Sequence, residues 1–208
     1  MKCKGFTWIE ALIVIGTIGV LAAILFPVFM RASENDKYGK ARACRSNLKN
    51  IMLGFKQYIQ DNDEKYPTVI STGATFGWAD AISDYARSNQ SFQCAIEGNY
   101  PNQPDQPNPR EVGFTDYWYN RNLSGVKEDK IHNVNSLILL GEGNDGTDQT
   151  DARYSLSTPP AKWIGDTSSP LYRHKYGANY AFLDGHVIKI PAAWIQSPNK
   201  GYPTFRIQ

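Results

Sequence analysis

Apolar residues fill the chain from Phe6 to Met30 almost without a break, and from Ala11 to Met30 twenty consecutive residues carry no formal charge. A helix rises about 1.5 Å per residue, so this run spans roughly 30 Å, the apolar thickness of a bilayer. It does not read as a cleaved secretory signal, because Ala22-Ala23 leads straight into Ile24, Leu25 and Phe26. Beyond Met30 the pattern changes. Residues 31–60 contain no Pro and only two Gly, Gly39 and Gly54. Ala41, Cys44, Leu48, Ile51, Phe55, Tyr58 and Ile59 recur at steps of three and four, one apolar stripe on an otherwise polar helix. The pattern predicts a single long helix, with residues 6–30 in a membrane and residues 31–60 packed along one face against a body. Pro27 removes a helix hydrogen bond and predicts a kink. Asp61-Asn62-Asp63 breaks the pattern, and Tyr66-Pro67 closes the segment.

Residues 61–208 are numerous enough to bury about two-thirds of their unfolded surface. Trp78–Ala86 predicts a short helix, and the four Pro between Tyr100 and Arg110 predict a surface loop. Strands are expected at Phe114–Tyr119, Ser136–Gly141, Asn179–Leu183 and His186–Ile190. The last two flank Asp184-Gly185, which predicts a two-residue hairpin turn with both turn positions at positive φ. Asp145–Pro170 is polar and predicts an exposed excursion. The layout is α+β, a long N-terminal helix packed on a small antiparallel sheet.

Composition refines this picture at two points. Lys and Arg number 22 against 20 Asp and Glu. A nucleic-acid-binding role needs clustered basic charge and is not indicated. Lys2 and Lys4 precede the span, while Arg31, Lys37, Lys40, Arg42 and Arg45 follow it, so basic residues alone do not orient it. Glu10 is the discordant residue. A mid-membrane acid costs about 3 kcal/mol, less near the boundary. It either snorkels at the interface or has a partner. A cut between Gly5 and Phe6 would create such a partner, an amine one helical turn away.

The stretch Lys4-Gly5-Phe6-Thr7-Trp8-Ile9-Glu10, followed by a long apolar helix, resembles the type IV prepilin signal. In that family a membrane-embedded prepilin peptidase cuts after the Gly and methylates the new N-terminus. Gly5, Phe6 and Glu10 fall on the matching positions, and Gly19 and Pro27 fall where pilin helices often carry these residues. Trp8 and Ala11 depart mildly from the usual Leu. The resemblance implies a leader at 1–5, a membrane and assembly helix at 6–30, its continuation at 31–60 and an extracytoplasmic head at 61–208, in the pilin fold. It also implies the partners: prepilin peptidase, an inner-membrane assembly platform, and copies of the chain or other pilins. The localisation implied is a single-pass precursor in a bacterial inner membrane, then a filament or the cell surface. Losing Met1–Gly5 removes two Lys and no acid, leaving 20 basic and 20 acidic side chains, which suits close packing of copies.

A second resemblance covers the body. Ala43-Cys44-Arg45-Ser46-Asn47-Leu48-Lys49, Tyr58–Pro67, Phe92-Gln93-Cys94, Tyr117–Asn120 and His174-x9-Asp184-Gly185 occur in that order. They look like the prepilin-type proteins named for their His-x9-Asp-Gly motif. His174, Asp184 and His186 invite a metal or catalytic reading, but two His and one Asp make a thin zinc set and no nucleophile accompanies them. The structural reading is that Asp184-Gly185 forms the turn and His174 bonds the backbone near it. Glu142, Asn144, Asp145, Asp148 and Asp151 crowd one loop with oxygen ligands suited to calcium, but without the EF-hand alternation. A solvated acidic loop is the simpler reading, and no cofactor is required.

Cys3 lies in the leader, so Cys44 and Cys94 remain as an even pair in an exported body. A disulfide would close a loop of about 50 residues and restrict the unfolded chain by roughly 4 kcal/mol. The other reading is two buried thiols, since Cys44 sits on the apolar stripe. No nucleophile–base pair or phosphate loop appears, so an enzyme is not indicated. Two functions remain. One is a structural filament subunit, pilin or pseudopilin, of a type IV pilus-like or type II secretion-like assembly. The other is a membrane-tethered binding module that holds a glycan or surface ligand through Trp78, Trp118, Trp163 and Trp194. Buried tryptophans favour the first and exposed ones the second.

Overall fold

The computed structural model describes residues 8–69, 76–96, 109–147, 149–196 and 202–208, and the side chains of 27–38 are outside that set. Gly5, Phe6, Asp148, the Pro27 side chain and most of the 100–110 segment therefore lie outside the described residues. The chain forms two units, Met1–Gly39 and Lys40–Gln208.

The first unit holds the start of helix α1, Trp8–Asp61, which is helical through Pro27. Its stretch Trp8–Phe26 is long and apolar enough to cross a membrane, and none of it is buried. Ile9, Ile13, Ile15, Val20, Ile24 and Phe26 all stand exposed. In water such a helix would leave its whole circumference unsatisfied, whereas in lipid the same surface is matched.

In the second unit α1 becomes one-sided. Cys44, Leu48, Ile51, Met52, Phe55 and Ile59 are buried, while Lys49, Leu53, Lys56 and Gln57 are exposed. The predicted stripe is thus the head's core seam. The helix ends where expected. Asp63 and Glu64 adopt left-handed φ values of 53° and 61°, and the Glu64 amide donates to the Ile59 carbonyl. Such residues close a helix end by turning its last carbonyls onto following amides.

The stripe packs on a five-stranded sheet of order β3-β1-β2-β4-β5. The strands are β1 Tyr117–Asn120, β2 Ile138–Glu142, β3 Ser155–Leu156, β4 Gly177–Phe182 and β5 Val187–Pro191. Pairs β1–β2, β2–β4 and β4–β5 are antiparallel, and β1–β3 is parallel, so the sheet is mixed at one edge. Alternation sorts the side chains. Tyr117 and Tyr119 face the helix-side core, and Trp118 enters a second cluster with Tyr180, Phe182, Trp163 and Leu171. A register shift in β2 turns Leu139 and Leu140 into the same helix-side core. Both faces of β1, β2 and β4 are consequently buried.

Between helix and sheet lies an aromatic layer. Phe55 stacks on Trp78 and Tyr119 at 5.8 and 5.6 Å, and Trp78 meets Phe92 at 5.8 Å. Trp78 opens the short helix α2, Trp78–Ser83, inside the predicted 78–86 segment; α3, Ala192–Gln196, follows β5. Gly141 passes under Trp118 so closely that an added Cβ would lie 2.3 Å from its ring.

Two expectations need correction. The β4–β5 hairpin does not turn on two residues. Leu183-Asp184-Gly185 form a three-residue loop closed by the Gly185 amide to the Phe182 carbonyl, and only Gly185, at φ 96°, is left-handed. This is the turn family in which a glycine carries the bulge that follows the bend. The Asp145–Pro170 excursion is not simply exposed: Thr150, Ala152, Tyr154 and Trp163 are buried, and Ser155–Leu156 supply the parallel edge strand. Its polar composition concealed a few large side chains that cover the outer sheet face.

Two substitutions test this packing. Phe55→Ala should cost about 3–5 kcal/mol and Gly141→Ala about 1–3 kcal/mol, read as shifts in urea unfolding of the full chain in detergent. Leu53→Ala, on the exposed face, should cost under about 0.5 kcal/mol. An equal loss at Leu53 would contradict the one-sided stripe.

Candidate functional site: a buried disulfide, glutamate and histidine

The most unusual chemistry in the head lies where α1, the loop after Phe92, the end of β2 and the loop before β4 meet. Cys44 on α1 is disulfide-bonded to Cys94, with Cα atoms 4.9 Å apart. The structure thus decides between bridge and free thiols: both residues are buried, and they are joined. Against the bridge sits Glu142, the last residue of β2. Its carboxylate is 4.0 Å from Cys94 Sγ and 2.6 Å from His174 Nε2. His174 Nε2 is itself 3.8 Å from Cys94 Sγ. The His174 and Glu142 side chains are 1% and 0% exposed.

Burying a carboxylate is costly unless its lone pairs are used. Three donors use them here: His174 Nε2, the Asn179 amide and Asn179 Nδ2, the last two each at 2.9 Å. The backbone is held as firmly, with Trp118 Nε1 donating to the Glu142 carbonyl at 3.0 Å. Around this centre Asp116 accepts from the Cys94 amide and from Asn144 Nδ2 at 2.7 and 2.8 Å, joining the two loops. Arg173 caps the Gly143 and Asn144 carbonyls. Tyr117 donates to the Cys44 carbonyl at 3.3 Å. Burial, reinforced by the Glu142 and Asp116 carboxylates, pushes its phenol well above the ordinary tyrosine range.

The His-x9-Asp-Gly residues divide between two places. Asp184 lies at the hairpin and accepts from the His186 amide and Nδ1, at 3.0 and 2.6 Å. The His174 ring turns instead to Glu142, which corrects the expectation that it bonds backbone near the turn; its own amide donates to Gly177. Asn179 and Asp116 were not singled out from sequence, and Glu142 was read only as a possible calcium ligand. A carboxylate ending the apolar run Ile138-Leu139-Leu140-Gly141 was the available signal, since an acid there is buried by its strand.

The acidic loop does not converge on one point among the described residues. Glu142 serves His174 and Asn179, Asn144 serves Asp116 and Gly146, and Asp151 pairs with Arg153. Asp145 takes Lys162 at 2.6 Å and the Trp163 indole at 2.8 Å. Partial burial works to raise its pKa, but hydrogen bonds from Lys162, Trp163 and Thr147 outweigh it and hold the carboxyl well below the usual range. Three of the four tryptophans read as a possible ligand face, Trp78, Trp118 and Trp163, are core, and only Trp194 is exposed.

Two outcomes test the site. Glu142→Ala strands three donors and should cost at least about 3 kcal/mol in unfolding free energy, at about 1 kcal/mol or more per buried bond. In alkali, burial raises Tyr117, Tyr119 and Tyr180 above their unfolded value near 10. Their contribution to stability is then complete below about pH 10 and lost above it. In an ultraviolet titration these phenols should ionise only together with loss of near-ultraviolet circular dichroism. Ionisation of all twelve tyrosines near pH 10 with the fold intact would contradict their burial.

Comparison with known proteins brings a consistent answer. No protein-family model matches the chain, and no solved structure matches it. Two forms of the type IV major fimbrial protein FimA of Dichelobacter nodosus are similar over 159 residues, at 30% and 29% identity. The aligned region covers 71% of this chain in both cases and 90% and 89% of the fimbrial proteins. The type IV major pilin protein PilA of Myxococcus xanthus is 37% identical over 60 residues, 29% of this chain and 26% of that protein. A lipid-length apolar helix continuous with the core helix of an α+β head, together with relatives matched over nine-tenths of their length, establishes that this chain belongs to the type IV pilin family.

Proposed function

We propose that the chain is a structural subunit of a type IV pilus-like or secretion-like filament, made as a membrane precursor and matured by a prepilin peptidase. The observation that carries this is one helix with two solvents. Apart from Glu10 at its start, Trp8–Phe26 is apolar on every side and none of it is buried, whereas the same helix from Cys44 onward is buried on one face only. An all-round apolar helix needs lipid or other copies of itself around it, and a filament core supplies the second once the subunit leaves the first. Cleavage after Gly5 makes Phe6 the mature, methylated N-terminus, and Pro27 relaxes the helix where neighbours pack. The assembly platform and further pilins are the partners. The order of His174, Asp184 and Gly185 in the sequence is what supports reading the head as one of the His-x9-Asp-Gly prepilin-type proteins. A glycan-binding head gains no support from its tryptophans, three of which are core.

Glu10 has a defined part in this reading. Once Phe6 is the terminus, its amine is a cation in an apolar layer, where an unpaired charge is costly. Pairing Glu10 with a neighbour's amine offsets both costs and favours one axial offset between subunits. Glu10→Gln should therefore be cleaved normally yet be under-represented in sheared surface filaments, with Glu10→Asp milder. Gly5→Val should retain the leader, seen by mass spectrometry as a chain that still begins at Met1. Filaments from Glu10→Gln cells equal in yield to the parent would remove charge pairing from the account.

A further inference from the structure

Cys44, Cys94, Glu142 and His174 bring two sulfurs, a carboxylate oxygen and an imidazole nitrogen within 4.8 Å of one another, all buried. We propose that the dithiol form of the head is a closed, four-ligand zinc site, and that disulfide formation expels the metal. The donor set is the one zinc favours, thiolate sulfur with imidazole and carboxylate, and four protein ligands fill a tetrahedral structural site. Zinc bonds of about 2.0–2.3 Å put tetrahedral donors roughly 3.3–3.8 Å apart. Breaking the S–S bond lets the sulfurs separate to that distance, and the 2.6 Å His174–Glu142 contact has to widen by about 1 Å.

The surroundings also supply the outer support that a metal site uses. Asn179 orients both Glu142 oxygens through its amide and side chain, the kind of outer support that ligating carboxylates carry. Two thiolates and a carboxylate around Zn²⁺ leave one net negative charge, and the Arg173 guanidinium caps the carbonyls of the two residues following Glu142. In the disulfide form two of four ligands are gone. His174 Nε2, the ring nitrogen that would ligate, faces both Glu142 and Cys94 Sγ, at 2.6 and 3.8 Å.

The chemistry balances. The chain is synthesised with thiols. Binding replaces two S–H protons by Zn²⁺ and releases them. An oxidising disulfide, from a protein or small-molecule donor, then takes two electrons from the two thiolates, is itself reduced to two thiols by taking up two protons from water, and Zn²⁺ leaves as the Cys44–Cys94 bond forms. Before oxidation the metal would hold α1 to the loop after Phe92, at the same place the bridge later holds it.

The test uses the full-length chain in detergent, reduced anaerobically with a dithiol and shown by alkylation mass spectrometry to carry free Cys44 and Cys94. Added Co²⁺ should bind one ion per chain with thiolate charge-transfer and intense tetrahedral d–d bands, and the oxidised chain should show neither. X-ray absorption of the zinc-loaded chain should show two sulfur and two nitrogen or oxygen neighbours. Asn179→Ala, outside the ligand set, should weaken binding about 10–100-fold. If reduction unfolds the head, Zn²⁺ should restore its near-ultraviolet circular dichroism. A reduced chain that gives no cobalt bands, does not recover its fold with Zn²⁺, or shows a shell other than two sulfurs overturns the proposal.

Discussion

One constraint organises this molecule: a single continuous helix must satisfy lipid along its first part and a protein core along its last. Lipid asks for apolar residues on every side, and a head domain asks for them on one side only. Up to Phe26 the apolar side chains stand exposed on every side, and from Cys44 onward they form the single seam of Cys44, Leu48, Ile51, Phe55 and Ile59. Everything in the head follows from covering that seam. Tyr117 and Tyr119 of β1 and Leu139 and Leu140 of β2 face it, and Trp78 and Phe92 fill the space between. Without α1 the helix-side face of the sheet would be bare, and the head has no other long helix among the described residues to replace it.

The second organising feature is polar. Glu142 is held by His174 and Asn179 at the point where the disulfide joins α1 to the loop after Phe92. Four separate elements of the head therefore converge on one buried carboxylate. Such a network is stabilising only when complete, because each unpaired member costs more than its bond returns. Tyr154 and Trp163 of the polar outer excursion pack in one cluster with Trp118, whose indole donates to the Glu142 carbonyl, so the outer sheet face and the anchorage meet at one side chain. A filament subunit needs such rigidity, since a head that deforms cannot keep a repeating contact with its neighbours.

The local elements were legible where periodicity was strong. The long helix, its end at Asp61, the short helix at Trp78 and four strands near their positions all follow from spacing and turn residues. The parallel edge strand Ser155–Leu156 was not, because two residues carry no period. The hairpin at Asp184-Gly185 was placed correctly but given one loop residue too few, since a dipeptide does not reveal which neighbours leave the ladder. The Cys44–Cys94 pair was arithmetic from three cysteines, while bridge against thiols was a question of proximity.

What the sequence alone determined is the anchor and its family resemblance. A charge-free run long enough for a bilayer, entered by Gly5-Phe6 and marked by Glu10, specifies its environment through transfer free energy, which depends on composition and length alone. The seam on the second half of α1 is equally intrinsic, because helical period turns spacing directly into a face. What only the tertiary structure decided is the company of His174. Thirty-two residues separate it from Glu142 and eighty from Cys94, and its motif partner by sequence, Asp184, pairs with His186 instead. Side chains that meet across strands and loops are selected by sheet order and register. Those depend on which faces are buried together, and no local pattern carries that information.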